Sequence, residues 1–113
     1  MRLMRFEQTI TNNLHGQGHL EWRIAAYDRG SRGTEICALM VPFHSSEAPE
    51  WRIPHERTAE RITGFDWTKP WASATEWLAD RIARKMLSDG RTMPEIDEYL
   101  EQFGMVIPEK NNL

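Results

Sequence analysis

The chain holds a single cysteine, Cys37, and therefore has no internal disulfide to brace it. Long apolar runs are missing too. The most apolar stretch without charge, Ile36 to Ser46, is broken by Pro42 and His44, whereas a membrane-spanning helix needs ~20 apolar residues. Arg2, Arg5 and Glu7 interrupt the N-terminal stretch, so no secretory hydrophobic segment is expected and the expected compartment is the cytoplasm. Positive charge is not in excess: 17 Asp and Glu stand against 14 Lys and Arg, a net charge of −3. That balance argues against a nucleic-acid coat and against an anionic membrane surface as the main partner. Neither HExxH nor Gly-x-Ser-x-Gly occurs, which removes the simplest metalloprotease and serine-hydrolase readings. Internal repeats and low-complexity tracts are absent.

What is present is the composition of one globular domain. The 113 residues are 40% hydrophobic and 27% charged, within the range of a single domain spanning 1–113 with a modest core. The first part, 1–44, reads as sheet. Met4, Phe6 and Ile10 alternate with Arg5, Glu7, Thr9 and Thr11, and Leu20, Trp22, Ile24 and Ala26 alternate with Glu21, Arg23 and Tyr27. A period of two marks strands with one face in the core. A third run, Glu35 to Phe43, is apolar on both faces. Asn12-Asn13 with Gly16 and Gly18, and the cluster Gly30-Ser31-Arg32-Gly33, supply the turns of a three-stranded antiparallel meander. For Phe6 and Ile10 to share a face with Trp22 and Ala26, even positions must pair with even ones, because a one-residue slip turns the apolar set to water. Side-chain volume places Cys37, Leu39, Val41 and Phe43 toward the core, leaving Ile36, Ala38 and Met40 on the other face.

Residues 45–69 read as loop, with a short helix opening at Pro54, running through Ile62 and stopped by Gly64. Residues 70–104 read as two helices. The first runs from about Pro70 to Ser88, with Ser73 and Glu76 as a capping pair near its start, Leu78, Ile82 and Met86 as its buried stripe, and Gly90 past its end. The second starts at Thr92, with Pro94 in its first turn and Glu95 completing a capping box, and runs through Phe103 to Gly104. Met105-Val106-Ile107 reads as a short fourth strand before a frayed tail within 105–113. The expected fold is α+β, an antiparallel sheet with two helices packed on one face. The five tryptophans, Trp22, Trp51, Trp67, Trp71 and Trp77, are expected to fill much of the shared core while one or two stay partly exposed.

Chemistry-bearing residues are few. His15 and His19 flank the first turn, and a meander returns His44 to the same end, so three imidazoles could take zinc with Glu47 or water as fourth ligand. In a glycine-rich turn this spacing lacks the fixed geometry of a helix, and solvated loop histidines are the commoner outcome. Cys37 in an apolar strand has the setting of a core filler rather than of a reactive thiolate. Gly16-Gln17-Gly18 joins two strands, with no helix N-terminus behind it to hold phosphate. His55, Glu56 and Glu60 lie among Arg57 and Arg61, the pattern of a salt-bridged face rather than of an acid–base pair. Glu7, Glu21, Glu76 and Asp80 interrupt any positive stripe, so direct nucleic-acid binding is not favoured.

The acidic pattern is better formed. From Asp89 to Glu109 the only base is Arg91, and Glu95, Glu98 and Glu101 recur at three-residue spacing along the second helix, with Ile96, Tyr99, Leu100 and Phe103 as its apolar side. A solvated face is the ordinary reason for such a run. The functional alternative is a surface that docks on a basic protein, anchored by aromatics from Trp51, Phe65, Trp67 or Trp71. With no cofactor motif, the expectation is a non-enzymatic protein-binding module, an inhibitor or accessory protein of the kind phages and mobile elements encode, acting on a basic, nucleic-acid-handling complex. The alternatives are a small metal-binding protein or metal-dependent enzyme using His15, His19 and His44, and a homodimer paired through the strand 36–43.

Overall fold

The alternating segments build one sheet. In the computed structural model, which describes residues 5–11, 19–43 and 58–107, strands β1 (Arg5–Thr11), β2 (His19–Asp28), β3 (Thr34–Phe43) and β4 (Thr58–Ile62) form an antiparallel sheet in sequence order. Helices α1 (Pro70–Ser88) and α2 (Met93–Glu101) follow, so the α+β meander-and-two-helix architecture holds. The fourth strand, however, is 58–62. The short helix expected through Ile62 is replaced there by β4, and 105–107 forms no strand. Thr58 and Ile62 are β-branched, which favours a pleated edge, and the charges of Glu60 and Arg61 suit a sheet border that must not recruit further strands.

The register follows the expected parity on β1 and β2: Phe6 lies opposite Ala26 and Ile10 opposite Trp22. On β3 the facing is the reverse of the expectation. Ile24 pairs with Ala38 and Ala26 with Ile36, and because residues directly opposite share a face, Ile36 and Ala38 join Trp22, Ile24 and Ala26 in the core, each 3% exposed or less. Cys37 and Leu39 lie on the outer face. Cys37 is buried there between Ala25 on β2 and Ala59 on β4. Pairing parity overrides side-chain volume.

The inner face is closed by α1, whose Ala74, Leu78, Ala79, Ile82, Ala83 and Met86 are buried, and then by Ile96, Tyr99 and Leu100 of α2. Each fully buried aliphatic side chain contributes roughly 1.5–3 kcal/mol. Beyond α2, Phe103, Met105 and Ile107 are buried while Val106 is 78% exposed; the segment alternates like a strand but lies extended against the core. Glu60 ties the edge strand to α1: its carboxylate accepts from the Trp77 indole N–H and, at 2.9 Å, from Arg81. Of the expected face of His55, Glu56, Arg57, Glu60 and Arg61, Glu60 is held by Trp77 and Arg81 of α1 and Arg61 is exposed; residues 55–57 lie outside the described residues. The indole N–H of Trp22 is buried without a full hydrogen bond. Near it, burial pushes the Tyr99 hydroxyl well above the ordinary tyrosine pKa.

Helix ends are set by local chemistry. Pro70 occupies the first helical position after Lys69, so Ser73 and Glu76 lie inside α1 and do not cap it. Ser73 Oγ instead accepts the Asp66 N–H at 3.1 Å. Gly90, at φ 82°, closes α1, with the Arg91 N–H donating to Met86 O at 2.9 Å. At α2 the capping box is complete: Glu95 N–H donates to Thr92 Oγ1 at 3.4 Å, and Thr92 N–H donates to Glu95 Oε1 at 3.1 Å.

Candidate functional site

The acidic residues separate according to what they already hold. Asp80 pairs with Arg84, Asp89 with Lys85 and Glu95 with Arg91, each one helical turn away. Glu95 is also the capping residue of α2. The Thr92 backbone and hydroxyl, with the Arg91 guanidinium, hold its carboxyl below the usual carboxylate range. It is thus committed to the local fold. Glu98 and Glu101 lie opposite the buried Ile96, Tyr99 and Leu100, both are exposed, and neither has an ion-pair partner among the described residues. They are the open acids of α2. Asp66 is likewise held below the usual range, by the hydroxyl and backbone N–H of Thr68, and serves the turn before α1.

The aromatics separate too. Trp67 packs on Phe65 with ring centroids 4.5 Å apart, and both lean on the core beside the β2–β3 turn, where they border a pocket with Gly33 and Ile62. Trp71 stands elsewhere. In the first turn of α1, its indole is 45% exposed. It lines a pocket of about 270 Å³ together with Thr75 and Glu76 of α1 and residues 103–106 after α2. Thr75 Oγ1 donates to Trp71 O at 2.9 Å, which turns the hydroxyl inward and stiffens the turn that carries the indole. Glu76 has no ion-pair partner among the described residues. Gly104 N–H donates to Glu101 O at 3.0 Å, so the backbone at the end of α2 is tied to a residue of the pocket lining. Trp51, the other expected anchor, lies outside the described residues.

Two residues of this pocket, Glu76 and Val106, are not picked out by the sequence patterns: Glu76 reads as a capping partner of Ser73, and Val106 as part of a strand 105–107. The signal for Glu76 was Pro70: its preference for the first helical position fixes the start of α1 too early for Ser73 to be a cap.

The outer sheet face carries Arg5, Arg23 and Arg29, ion-paired to Glu7, Glu21 and Glu35 respectively, and Arg61, opposite Glu35 on β4, which is exposed and has no ion pair among the described residues. Arg5 and Arg29 also flank the Tyr27 ring, at 5.6 and 5.2 Å from its centroid. For the histidine reading, His15, His44 and the His19 side chain lie outside the described residues, and among the described residues no group of three or more ligating side chains could hold a metal. For the self-pairing reading, Ile36–Ala38 are already laddered on both sides, to β2 and to β4, so among the described residues only the 39–43 end of that strand has no β4 partner. Among the described residues no helix is long and apolar enough to cross a membrane. No family model matches the sequence, and neither a curated protein nor a solved structure matches it.

Proposed function

We propose that this chain is a non-enzymatic protein-binding module that docks through the surface formed by α2 and the start of α1. The observation that carries the reading is a juxtaposition. The exposed Trp71 and Val106 border a pocket whose Gly104 is hydrogen-bonded to the backbone of Glu101, and Glu101 and Glu98 are the only turn-spaced acids of α2 left without an ion partner among the described residues. An exposed tryptophan beside a concave, partly apolar patch is the usual make-up of an interface anchor. Uncompensated carboxylates around it speed and select the approach of a positively charged partner. The pairing of Arg5, Arg23 and Arg29 with glutamates supports a protein partner over nucleic acid, since a phosphate contact at any of these three would first have to break an ion pair. In concrete form, the chain is a small inhibitor or accessory protein, of the kind phages and mobile elements encode, that occupies a basic surface of a nucleic-acid-handling complex. The net charge of −3 suits that role.

The test is the double reversal Glu98→Lys, Glu101→Lys. Both side chains are exposed, so the thermal midpoint should move little, as surface changes usually stay within about 0.5 kcal/mol. Affinity for the partner captured by the wild-type chain from its source cells should fall at least about tenfold, and further as salt is lowered, because the introduced lysines and the basic partner are like charges whose repulsion is then less screened. Partner binding that survives the reversal at both low and high salt would overturn the reading.

A further inference from the structure

We infer that the pocket between Trp71 and Val106 is a receptor for a single arginine side chain projecting from the partner; the inference rests on the docking reading above and specifies its anchor. Four features of the pocket point to that chemistry. Among the described residues its lining includes one carboxylate, Glu76, and no base, although elsewhere on the described surface acids are repeatedly matched with Arg or Lys. One wall is the exposed indole of Trp71, whose ring face attracts a cation, most strongly a planar guanidinium that can stack on it. Another part of the lining is the chain leaving α2, next to the C-terminal end of the helix, which carries partial negative charge. Phe103, Met105 and Val106 add apolar surface suited to the methylene stem of a long side chain.

Arginine fits this arrangement better than lysine. A guanidinium can lie flat on the Trp71 indole while two of its N–H groups fork onto the Glu76 carboxylate, whereas an ammonium offers neither the plane nor the fork. About 270 Å³ accommodates one such side chain and excludes a folded segment. Glu98 and Glu101 would then meet the basic residues that flank the arginine on the partner.

The experiment needs no partner. The full-length, 15N-labelled chain is titrated with N-acetyl-Gly-Arg-Gly-amide and with its lysine and citrulline counterparts, following the tryptophan indole N–H resonances. The Trp71 signal is assigned by its loss in Trp71→Phe. The arginine peptide is expected to shift the Trp71 resonance saturably. The neutral citrulline peptide should not, and Glu76→Gln should weaken the arginine response by roughly tenfold, the effect of losing one charge-assisted contact. Equal shifts with arginine and citrulline, or an arginine response unchanged by Glu76→Gln, would overturn the inference. Because the peptide reports on the pocket alone, such a result would leave the docking reading to its own reversal test. Conversely, arginine-selective shifts would stand even if that reversal failed to release the partner.

Discussion

Ile36→Ala is expected to destabilise the protein by about 3 kcal/mol, within the range for truncating a fully buried aliphatic side chain, and Leu39→Ala by only about 1 kcal/mol. Ile36 is completely inaccessible, opposite Ala26 on β2, and belongs to the cluster that includes Leu78 and Ile82 of α1. Its neighbours are held by two strands and a helix, so the space left by the lost methyl and methylene groups cannot collapse freely. Leu39 lies on the outer face and is half exposed, where truncation returns little surface to water. Urea denaturation separates the two cases: the Ile36→Ala midpoint should fall far below that of Leu39→Ala with the slope unchanged. On heating, the larger loss corresponds to a drop on the order of 15 °C for a domain of this size. Equal losses, or a larger one at Leu39, would mean that β3 presents its other face to the helices.

That contrast marks where the fold was legible in the sequence. Period-two patterning on β1 and β2 was sufficient, because each strand has an unmistakable polar side. On β3 both faces are apolar, and residue volume pointed the wrong way. The decisive information was the pleat inherited across the ladder from Trp22, Ile24 and Ala26, which commits Ile36 and Ala38 to the core however small alanine is. β4 was obscured for a different reason. An edge strand is protected by charge, and Glu60 and Arg61 between β-branched neighbours imitate a solvated helix. The buried stripe of α1 and the capping box of α2 were both legible, since each depends on contacts within a few residues.

Gly33→Ala is expected to cost about 3 kcal/mol, well above the roughly 1 kcal/mol expected for Gly64→Ala. Both glycines have positive φ, 85° and 79°, so each substitution carries backbone strain. Gly33 combines its φ with ψ −152°, a region essentially reserved for glycine. A Cβ built there would also lie 2.9 Å from the carbonyl oxygen of Ile62, whereas one at Gly64 would meet nothing within 4 Å. The obstructing atom is backbone and belongs to the last residue of β4, paired to Thr34. Relief therefore requires the strand end to move away from the β2–β3 turn. Chemical denaturation of both variants checks this. Losses of the same size at the two positions would show that φ alone governs and that the close approach to Ile62 is inconsequential.

The candidate site was only half legible. Glu98 and Glu101 followed from helical spacing, because α2 buries Ile96, Tyr99 and Leu100 and must turn those acids outward. Glu95 shared the spacing but is spent on the cap and on Arg91. Trp67 and Trp71, close in sequence, border different pockets, since the turn held by Asp66, Thr68 and Ser73 redirects the chain between them. The partnership of Trp71 with residues 103–106 joins segments about thirty positions apart, and no local pattern announces such a contact.

The most direct measurement of the docking surface is photocrosslinking from single positions in the full-length chain. Benzoylphenylalanine introduced in place of Val106 samples the pocket rim, and the same group in place of Thr63 samples the exposed turn beside Trp67. Incubated with the captured partner and irradiated, the Val106 position should yield a strong one-to-one adduct and the Thr63 position little or none. An adduct from Thr63 with none from Val106 would contradict the docking reading and move the interface to the pocket beside Trp67.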